Sequence, residues 1–357
     1  MDSEQSSPWK GQHVLITGVC GTVGSELFHQ ILAQNPGQIT GLDNNESELF
    51  FMMERHRNNP GVSFSLGDVR DRDKLTRIMR VDVVLHAAAL KHVILCEQSP
   101  RDAIQTNIIG VQNIVDAADA CQVRRVLFTS SDKAVNPTNV MGTSKLMGER
   151  LMTAANAARG GAHPIFASTR FGNVLGSRGS VIPLFRRQIA AGGPITLTDP
   201  NMTRFIMTLA DAVRLVMEST FLARGGEVFV TKMPVVRIAD LAWVMRETLA
   251  PQFGFTPEQI EICVIGPKPG EKMYEELMND EETRRTVELP DYFVVLPALR
   301  AVQDTTEYTY ADVLRDRVDR PYNSSSEAWM TREELRSYLF THKLLEEESD
   351  ANPDPGR

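Results

Sequence analysis

Cysteine is scarce in this chain, and its placement excludes two kinds of cross-linked protein. The four cysteines, Cys20, Cys96, Cys121 and Cys263, lie far apart, with no CxxC pair and no clustered histidines. A disulfide framework and a zinc site both need closer pairs, so the spacing favours reduced, buried thiols of a cytosolic protein. We therefore predict a cytoplasmic location and no bound metal.

Long apolar runs and an excess of positive charge are also missing. No stretch of 18 apolar residues occurs, and residues 1–10 are polar, so we predict neither a membrane span nor a signal peptide. The 38 Lys and Arg residues face 46 acidic ones, and the net charge of -8 argues against a nucleic-acid partner. A small anionic substrate stays compatible with this charge, because a few local cations can hold it.

What the sequence does contain is a repeated alternation of apolar strands and helices. With 357 residues, 42% of them hydrophobic, the chain can bury a large core in one long or two modest domains. Short apolar runs predict strands at 13–17, 38–42, 62–66, 81–85, 125–128 and 167–170, the last closing the sheet. Helical spacing between them, as at 102–119 and 139–158, predicts an α/β fold with a doubly wound parallel sheet.

The alternation breaks after Val174, where Gly, Pro and Ser become frequent, and this change predicts a smaller C-terminal lobe. Further helices are expected at about 208–222 and at 238–249, with a strand at 227–230. We assign the chain to a doubly wound domain (11–175, with returning elements at about 205–232), a substrate lobe (176–204 and 233–340) and flexible termini (1–10 and 348–357).

A glycine-rich turn follows the first strand and opens a helix. It runs Thr17-Gly18-Val19-Cys20-Gly21-Thr22-Val23-Gly24. In this context glycine lets the backbone approach a pyrophosphate, whose charge meets the amides of the helix N-terminus. Asp43, 19 residues after Gly24 and just past the second strand, can accept ribose hydroxyls and repels a 2′-phosphate, which favours NAD over NADP. Capping of a helix is the alternative role for Asp43.

Other candidate contacts follow the later strands. Asp68 can reach the adenine amine, and Asn107 faces either the sheet or the cofactor loop. The small side chains after the fourth strand serve cofactor approach or tight helix–sheet packing equally well, and they are Ala87, Ala88 and Ala89. Lys91 and His92 come next and either contact substrate or are solvated loop residues.

The densest group of reactive side chains follows the fifth strand. Ser131, Asp132 and Lys133 lie where a doubly wound sheet carries its chemistry, just beyond the carboxyl end of a strand. A hydroxyl, a carboxylate and an amine there can supply a hydrogen bond, a proton and a base. The alternative is a helix N-cap with solvated charges. On the next helix Met141 and Lys145 are one turn apart and face the same way.

Several long strings occur in a characteristic order along the chain. They are His86-Ala-Ala-Ala-x-Lys-His-Val93, Ser131-Asp-Lys-Ala-Val-Asn-Pro-Thr-Asn-Val-Met-Gly142, Arg170-Phe-Gly-Asn-Val-Leu-Gly-Ser177, Gly179-Ser-Val-Ile-Pro-Leu-Phe185 and Pro269-Gly-Glu-Lys272. With the glycine turn and the lysine-bearing helix, the chain resembles the extended short-chain dehydrogenases/reductases. The longer strings are similar to the polysaccharide-biosynthesis branch, the UDP-N-acetylglucosamine 4,6-dehydratases, over about residues 11–280. Many members carry N-terminal membrane helices, and this chain resembles their soluble catalytic part.

The chain departs from the family pattern at three positions. The usual Tyr-x-x-x-Lys is Met141-x-x-x-Lys145, which is common in this branch and removes the phenolic base. The branch's Thr-Asp-Lys has Ser131 in first place, which keeps the hydroxyl. Its Arg-Pro-Gly-Glu-Lys has Lys268 for Arg, which keeps the charge but loses the planar fork for phosphate oxygens.

The resemblance implies an NAD-dependent dehydration of UDP-N-acetylglucosamine. Hydride leaves sugar C4, a base removes the C5 proton, an acid protonates the departing C6 hydroxyl, and hydride returns to C6. We assign Asp132 as the acid, with a raised pKa, and Lys133 as the base, with a lowered pKa. Because an ion pair opposes both shifts, we expect the two to share a proton. Asp132, or a water relayed to Lys145, is the candidate for deprotonating the C4 hydroxyl.

The family pattern implies further contacts. Ser131 bonds the C4 oxygen, and Lys145 bonds the nicotinamide ribose. The substrate contacts that it implies are Lys91, His92, Asn173, Ser180, Val181, Arg204 and Glu271, and the added cofactor contacts are Val69, Thr129 and Phe171. For Arg204 and Glu271 a surface ion pair is the alternative. By analogy with the fold, we expect a homodimer through the helices at 102–119 and 139–158.

The sequence is also compatible with two other functions. A nucleotide-sugar epimerase on the same fold needs C4 oxidation and a proton shuttle, usually the tyrosine that Met141 replaces. A non-catalytic dinucleotide sensor has no need of the proton-handling trio at 131–133. The residues at 135–137 and Met141 are more similar to those of the branch members that retain the configuration at C5.

Overall fold

The computed structural model describes residues 7–158, 163–177, 179–266, 270–299 and 306–346. Its first half alternates strands and helices. The strands are β1 (His13–Thr17), β2 (Gln38–Asp43), β3 (Val62–Leu66), β4 (Val83–His86), β5 (Arg125–Thr129) and β6 (Ile165–Arg170). The helices are α1 (Thr22–Leu32), α2 (Glu46–His56), α3 (Arg72–Ile78), α4 (Val93–Gln98), α5 (Pro100–Ala103), α6 (Gly110–Ala120) and α7 (Val140–Ala158). The six strands pair in parallel throughout, which confirms the predicted α/β fold with a doubly wound sheet.

The second half interleaves a lobe with further strands of the same sheet. Its strands are β7 (Asn173–Val174), β8 (Ile195–Leu197), β9 (Thr203–Met207), β10 (Val228–Thr231), β11 (Val235–Arg237), β12 (Ile262–Val264), β13 (Glu276–Met278), β14 (Thr286–Glu288), β15 (Tyr292–Val295) and β16 (Tyr322–Asn323). Its helices are α8 (Val181–Ala190), α9 (Leu209–Leu222), α10 (Ile238–Leu249), α11 (Asp280–Thr283) and α12 (Arg332–Thr341).

The main sheet extends past β6, which corrects one expectation. Among the described residues it has nine strands in the order β14-β15-β10-β6-β5-β4-β1-β2-β3. β10 pairs in parallel with β6, and β15 and β14 then continue antiparallel. The strand at 167–170 therefore does not close the sheet, and residues 286–295, assigned to the lobe, belong to the sheet. These two strands have only three and four residues, too few to show a clear apolar alternation.

The lobe has its own core, and one of its strands, β13, contacts the turn after the sheet strand β5. Helices α8, α10 and α12 bury apolar side chains together, among them Phe185, Ile189, Leu241, Leu249 and Leu335. β7, β9 and β11 form a small sheet beside them. β13 packs against the turn that follows β5, so the lobe covers the carboxyl end of a central strand.

Part of the expected flexible N-terminus is fixed in the core. Trp9 is 3% exposed and packs edge-on against Phe221 of α9, with ring centroids 4.8 Å apart. Residues 7–10 are therefore ordered, because burying an indole outweighs the freedom of a short turn. Residues 1–6 and 347–357 lie outside the described part of the chain. Within that part, none of the helices combines the length and the apolar character that crossing a bilayer requires.

The helix expected at 102–119 is interrupted. α5 passes into a π-helical segment, Ile104–Ile109, before α6 begins at Gly110. A Cβ on Gly110 would lie 2.8 Å from Val69 Cγ2, so α6 packs closely against the loop after β3. The π-helical segment includes Asn107, and the helical spacing of apolar residues does not predict such an interruption.

Candidate active site

The turn after β1 has a shape that glycine alone permits. Gly18 has a φ of +71°, and a Cβ there would lie 2.8 Å from the Ala88 backbone in the loop after β4. A Cβ on Gly24 would lie 2.0 Å from the Gly18 carbonyl oxygen, so α1 packs directly on the turn. α1 begins at Thr22 behind Gly21 with no side chain capping its first amides. The amides of this first turn, Val23 included, fit the pyrophosphate of a dinucleotide.

Asp43 is fixed beside this turn at the end of β2. Its Oδ2 accepts the Cys20 N–H at 2.9 Å, and its Oδ1 accepts the Asn45 N–H at 2.9 Å. The N-cap of α2 is Asn45, whose side chain accepts the Glu48 N–H, so capping is not the role of Asp43. The residues present therefore fit a dinucleotide, with Asp43 held where ribose hydroxyls would be accepted.

Asp68 already has cationic and amide partners. Its carboxylate accepts from the Arg70 guanidinium at 2.7 and 2.9 Å and from the Asn44 amide at 3.1 Å. The hydrogen bond from Arg70 lowers the pKa of Asp68 to about 2. Val69 next to it is buried against Gly110. An adenine amine would have to share the Asp68 carboxylate with Arg70.

Asn107 holds the loop after β4. Its Oδ1 accepts the Leu90 N–H at 2.8 Å, and its Nδ2 donates to the Leu90 carbonyl and to Ser144 Oγ, each at 2.9 Å. Because both amide hydrogens are used within the protein, Asn107 positions this loop and does not donate to a cofactor. Ala87 and Ala88 in the same loop donate their N–H groups to Thr17 of β1, at 3.2 and 3.3 Å.

The reactive trio lies at the carboxyl end of β5, on a single 3-10 turn that spans Asp132–Ala134. Ser131 Oγ donates to Asp132 Oδ1 at 2.6 Å and accepts the Lys133 N–H at 3.2 Å, so Ser131 also caps the turn. Lys133 Nζ lies 3.1 Å from Asp132 Oδ1. The structure thus brings the hydroxyl, the acid and the amine into direct contact, with Asp132 only 1% exposed.

The protonation of Lys133 differs from the expectation. Burial lowers its pKa, but the negative charges of Asp132 and Glu275 outweigh burial and raise the pKa of Lys133. The expected lowered pKa is wrong because two carboxylates, and not one, face the ammonium. Without substrate, the amine therefore carries a proton.

Glu275, which the sequence reading missed, completes this cluster from the lobe. It is 2% exposed, and its Oε1 lies 3.4 Å from both Lys133 Nζ and Arg204 Nε. Burial first, and then the charge of Asp132, raise the pKa of Glu275. The sequence contains one weak signal, the adjacent acids Glu275 and Glu276, the second of which begins β13. It does not indicate which of the two faces the site.

Arg204 is buried, which excludes the surface ion pair as its role. Its guanidinium donates to the carbonyls of Thr203 at 2.7 Å and of Lys272 at 2.8 Å, and Glu271 lies farther away at 3.8 Å. Arg204 thus anchors the loop around 271–275 to β9. That loop includes the Pro269-Gly-Glu-Lys272 string, but residues 267–269, including Lys268, lie outside the described residues.

Lys145 projects from α7 toward the end of β5. Its Nζ donates to the Thr129 carbonyl at 2.8 Å and lies 4.7 Å from the centre of the Phe128 ring. Burial lowers the pKa of Lys145 to about 8, against the opposing charge of Glu149. Met141, one turn earlier, is 4% exposed and packs with Cys96 of α4, so no proton-carrying group stands at that position.

The remaining expected substrate residues differ in their exposure and in the elements that carry them. Lys91 and His92 are exposed, and His92 lies against Gly179, whose Cβ would be 3.0 Å from the ring. Ser180 and Val181 begin α8. Asn173 opens β7, and the Phe171 carbonyl before it accepts the Asp132 N–H at 3.2 Å. No cluster of three or more potential metal ligands occurs among the described residues.

Comparison with known proteins identifies close similarities over most of the chain. The profile of the family described as "Polysaccharide biosynthesis protein" matches residues 14–297. An uncharacterized membrane protein of Methanocaldococcus jannaschii is 50% identical over 298 residues, 83% of this chain and 89% of that protein. The UDP-N-acetylglucosamine 4,6-dehydratase (inverting) of Campylobacter jejuni is 36% identical over 305 residues, 84% of this chain and 87% of that protein.

A solved structure and other relatives agree with this similarity. Pen from Bacillus thuringiensis superposes with a TM-score of 0.87 at 41% identity, covering 94% of this chain and 99% of that one. UDP-glucose 4-epimerases of Rickettsia species match at 35% to 36% identity over 348 residues. The chain spans 56% of the length of another relative, the probable polysaccharide biosynthesis protein EpsC of Bacillus subtilis.

Proposed function

The chain belongs to the polysaccharide-biosynthesis family of extended short-chain dehydrogenases/reductases, and we propose that it is a nucleotide-sugar 4,6-dehydratase acting on UDP-N-acetylglucosamine. Enzymes of this family are nucleotide-sugar dehydratases and epimerases. The proposed product is a UDP-4-keto-6-deoxy-N-acetylhexosamine for surface-glycan or deoxy-amino-sugar synthesis. The proposed cofactor is NAD, which accepts a hydride from sugar C4 and returns it to C6 when bound.

The glycine turn and Asp43 support the binding of NAD. Gly18 lies against the Ala88 backbone, and the turn that it forms carries no side chain that caps the first amides of α1, so these amides are available to a pyrophosphate. Asp43 offers carboxylate oxygens to the ribose and would repel the 2′-phosphate of NADP. Lys145 is proposed to donate to the nicotinamide ribose and to stabilise negative charge at the C4 oxygen.

The turn that carries Ser131, Asp132 and Lys133, here named the catalytic turn, is proposed to supply the proton chemistry of the reaction. Ser131 bonds the C4 oxygen, and Asp132 takes the C4 hydroxyl proton and delivers it to the departing C6 hydroxyl. Lys133 removes the C5 proton and returns a proton to C5 when hydride reaches C6. One proton leaves C5 and one reaches the C6 oxygen, so the pair as a whole keeps its charge when water departs. The 2.6 Å bond between Ser131 and Asp132 supports a single proton-conducting unit.

One observation carries the dehydratase proposal. A buried acid in contact with an amine, Asp132 with Lys133, lies at the carboxyl end of β5, the edge at which a doubly wound sheet binds its ligands, while Met141 fills the position of the usual tyrosine. An epimerase needs a phenol-like shuttle at C4 and has no use for an acid–base pair near C5 and C6. The epimerases among the relatives make C4 epimerisation the second candidate.

Incubation of the purified protein with UDP-N-acetylglucosamine in deuterated water, without added cofactor, tests the proposal. NMR of the product should show a 4-keto-6-deoxy sugar with deuterium at C5. A C4 epimer would instead establish the epimerase. Retained NAD without turnover would indicate a dinucleotide sensor. The spectrum also reports whether the C5 configuration is retained.

We further propose that the protein forms a homodimer through α4, α7 and the π-helical segment. Apolar side chains on these elements are exposed, namely Ile94, Leu95, Ile104, Ile109 and Met147. Covering such a face removes apolar area from water. Light scattering on a size-exclusion column should give twice the mass of one chain, and a monomer would overturn this proposal.

A further inference from the structure

Glu275 is a buried carboxylate whose second oxygen has no partner. Its Oε1 lies 3.4 Å from Lys133 Nζ and 3.4 Å from Arg204 Nε. Its Oε2 is buried without a hydrogen-bond partner among the described residues. A buried acceptor left unpaired is unfavourable in a folded protein, and such groups are concentrated at functional sites.

The backbone of Glu275 is fixed by two hydrogen bonds to Ser324. Its N–H donates to Ser324 Oγ at 3.0 Å, and its carbonyl accepts the Ser324 N–H at 2.9 Å. Ser324 Oγ also bonds Thr203 Oγ1 at 2.9 Å, next to Arg204 on β9. The lobe thus presents one fixed carboxylate to the amine of the catalytic turn.

We propose, on the basis of the proposed dehydratase function, that Glu275 is a positioning residue that holds Lys133 and takes up its proton when substrate occupies the site. The neutral amine is then available to act at C5. The other carboxylate in contact with Lys133 is Asp132, which takes the C4 hydroxyl proton in the proposed reaction. Without Glu275 the amine therefore has to lose its proton to solvent before it can serve as a base.

The step conserves atoms and charge. The proton leaves Lys133 Nζ, the N–H electron pair stays on nitrogen as a lone pair, and an O–H bond forms on Glu275. The two residues change from ammonium and carboxylate to amine and carboxylic acid, so their summed charge stays at zero. The groups facing them are Asp132 on the catalytic turn and Arg204 on β9. Glu271, Lys272 and Glu276 are the charged neighbours on the loop and on β13.

The first test is the pH dependence of kcat for Glu275→Gln relative to the wild type. An amide cannot take the proton, so kcat should fall by about 10²-fold at pH 7, while KM changes by less than about threefold. The ratio of variant to wild-type kcat should then rise up to roughly tenfold per pH unit between about pH 6 and 8. Taking the ratio cancels titrations that both enzymes share, including that of Lys145.

Two further variants separate this role from a structural one. Glu275→Asp keeps a carboxylate, so the ratio of its kcat to the wild-type kcat should stay independent of pH even if kcat is lower. Glu276→Gln removes the neighbouring charge, which binds Lys272 at 3.0 Å and Asn136 at 3.0 Å, and its ratio should also be flat. Thermal midpoints and NAD content are measured for every variant. A ratio for folded Glu275→Gln that does not change with pH would overturn the proposal.

The second test needs no turnover. Trace labelling with acetic anhydride, followed by mass spectrometry of the peptide that holds Lys133, gives the pH midpoint of that amine; its side chain is 25% exposed. The midpoint should shift to lower pH in Glu275→Gln and stay in place in Glu276→Gln, because only Glu275 faces the ammonium. An unmoved midpoint in both would contradict the contact on which the proposal rests.

The two tests distinguish the failure of this inference from that of the proposed function. If wild-type protein makes no keto-sugar from UDP-N-acetylglucosamine, the dehydratase proposal fails, and the labelling result still decides whether Glu275 controls Lys133. If wild-type protein makes the product and the kcat ratio is flat, the role of Glu275 alone fails.

Discussion

At the scale of single residues, the most informative position is the one where a proton carrier is replaced by an inert side chain. Met141 is buried against Cys96 and Ala103, so its thioether fills space between α7 and α4. A thioether neither gives nor takes a proton at physiological pH. Proton transfer in the proposed reaction therefore does not pass through this position and runs through the charged residues Asp132, Lys133 and Lys145.

Replacing Lys133 by alanine tests the proposed base directly. Because the variant has no amine at the position of the proposed base, we expect Lys133→Ala to lose at least about 10³-fold in kcat. The glycine turn and Asp43 do not contact Lys133, so the NAD content of the purified variant should equal that of the wild type. Turnover at the wild-type rate would remove Lys133 from the role of base.

The contribution of Lys145 to the free energy of unfolding depends on pH, and its lowered pKa sets the direction of that dependence. The pKa falls from 10.5 in the unfolded chain to about 8 in the folded protein, so the folded protein loses this proton first. Stability from this group is therefore absent below about pH 8 and gained as pH rises toward 10.5, by up to about 3 kcal/mol.

Lys145→Met, which keeps the apolar stem, provides the reference. The difference in the free energy of unfolding, wild type minus variant, should increase between pH 8 and 10 in urea titrations. A difference that stays constant over this range would contradict the lowered pKa of Lys145.

At the scale of elements, the position of α7 on the catalytic turn depends on one small residue. A Cβ on Gly142 would lie 2.1 Å from the Lys133 carbonyl oxygen and 3.2 Å from Pro137 Cβ. α7 can therefore lie directly on the turn, which places Lys145 within reach of β5.

Gly142→Ala should push α7 away from the catalytic turn. We expect a loss of about 1 to 3 kcal/mol in the free energy of unfolding and a larger relative loss in kcat. Gly61→Ala is the matched control, because a Cβ there meets only Asn59 Oδ1 at 3.4 Å and Gly37 O at 3.8 Å. Urea unfolding and steady-state kinetics would contradict this reading if the two variants behaved alike.

Local patterns predicted the elements well and their long-range contacts poorly. The sequence predicts the glycine turn, Asp43 and the trio at 131–133 as site residues, because strand ends and turn chemistry depend on a few neighbouring residues. Glu275 was not found, because its role depends on a contact with Lys133 across more than a hundred residues. The π-helical segment is not predicted either, because the helical spacing of apolar residues does not distinguish it from an α-helix. The contacts of its Asn107 with Leu90 and Ser144 are likewise distant in the sequence.

At the scale of the whole molecule, one buried ion cluster connects the C-terminal half to α7, the helix that carries Met141 and Lys145. Arg170, at the end of β6, is 1% exposed, and its guanidinium bonds Glu149 of α7 at 2.7 and 2.8 Å and Glu282 of α11 at 2.8 Å. Arg170 also donates to the Leu277 carbonyl of β13 at 3.1 Å. A sheet strand, α7 and the segment after Glu275 thus meet at one cation.

Glu282→Gln should weaken this junction. The amide keeps one acceptor but loses the paired, charge-assisted hydrogen bonds, so we expect a loss of about 1.5 to 3 kcal/mol in the free energy of unfolding. Glu281→Gln is the control, because Glu281 is 60% exposed in its pair with Arg285 and should change stability by less than about 1 kcal/mol. Equal urea midpoints for the two variants would show that the cluster adds no stability.

The two antiparallel strands at the edge of the main sheet have a consequence for synthesis of the protein. β10 obtains its outer neighbour only when the ribosome has passed Val295, long after the glycine turn and the catalytic turn have emerged. A nascent chain that stops earlier presents the open edge of β10, and open edges recruit strands from other molecules. Premature termination after β10 but before codon 292, where β15 begins, should therefore yield aggregates and not a smaller dinucleotide-binding domain.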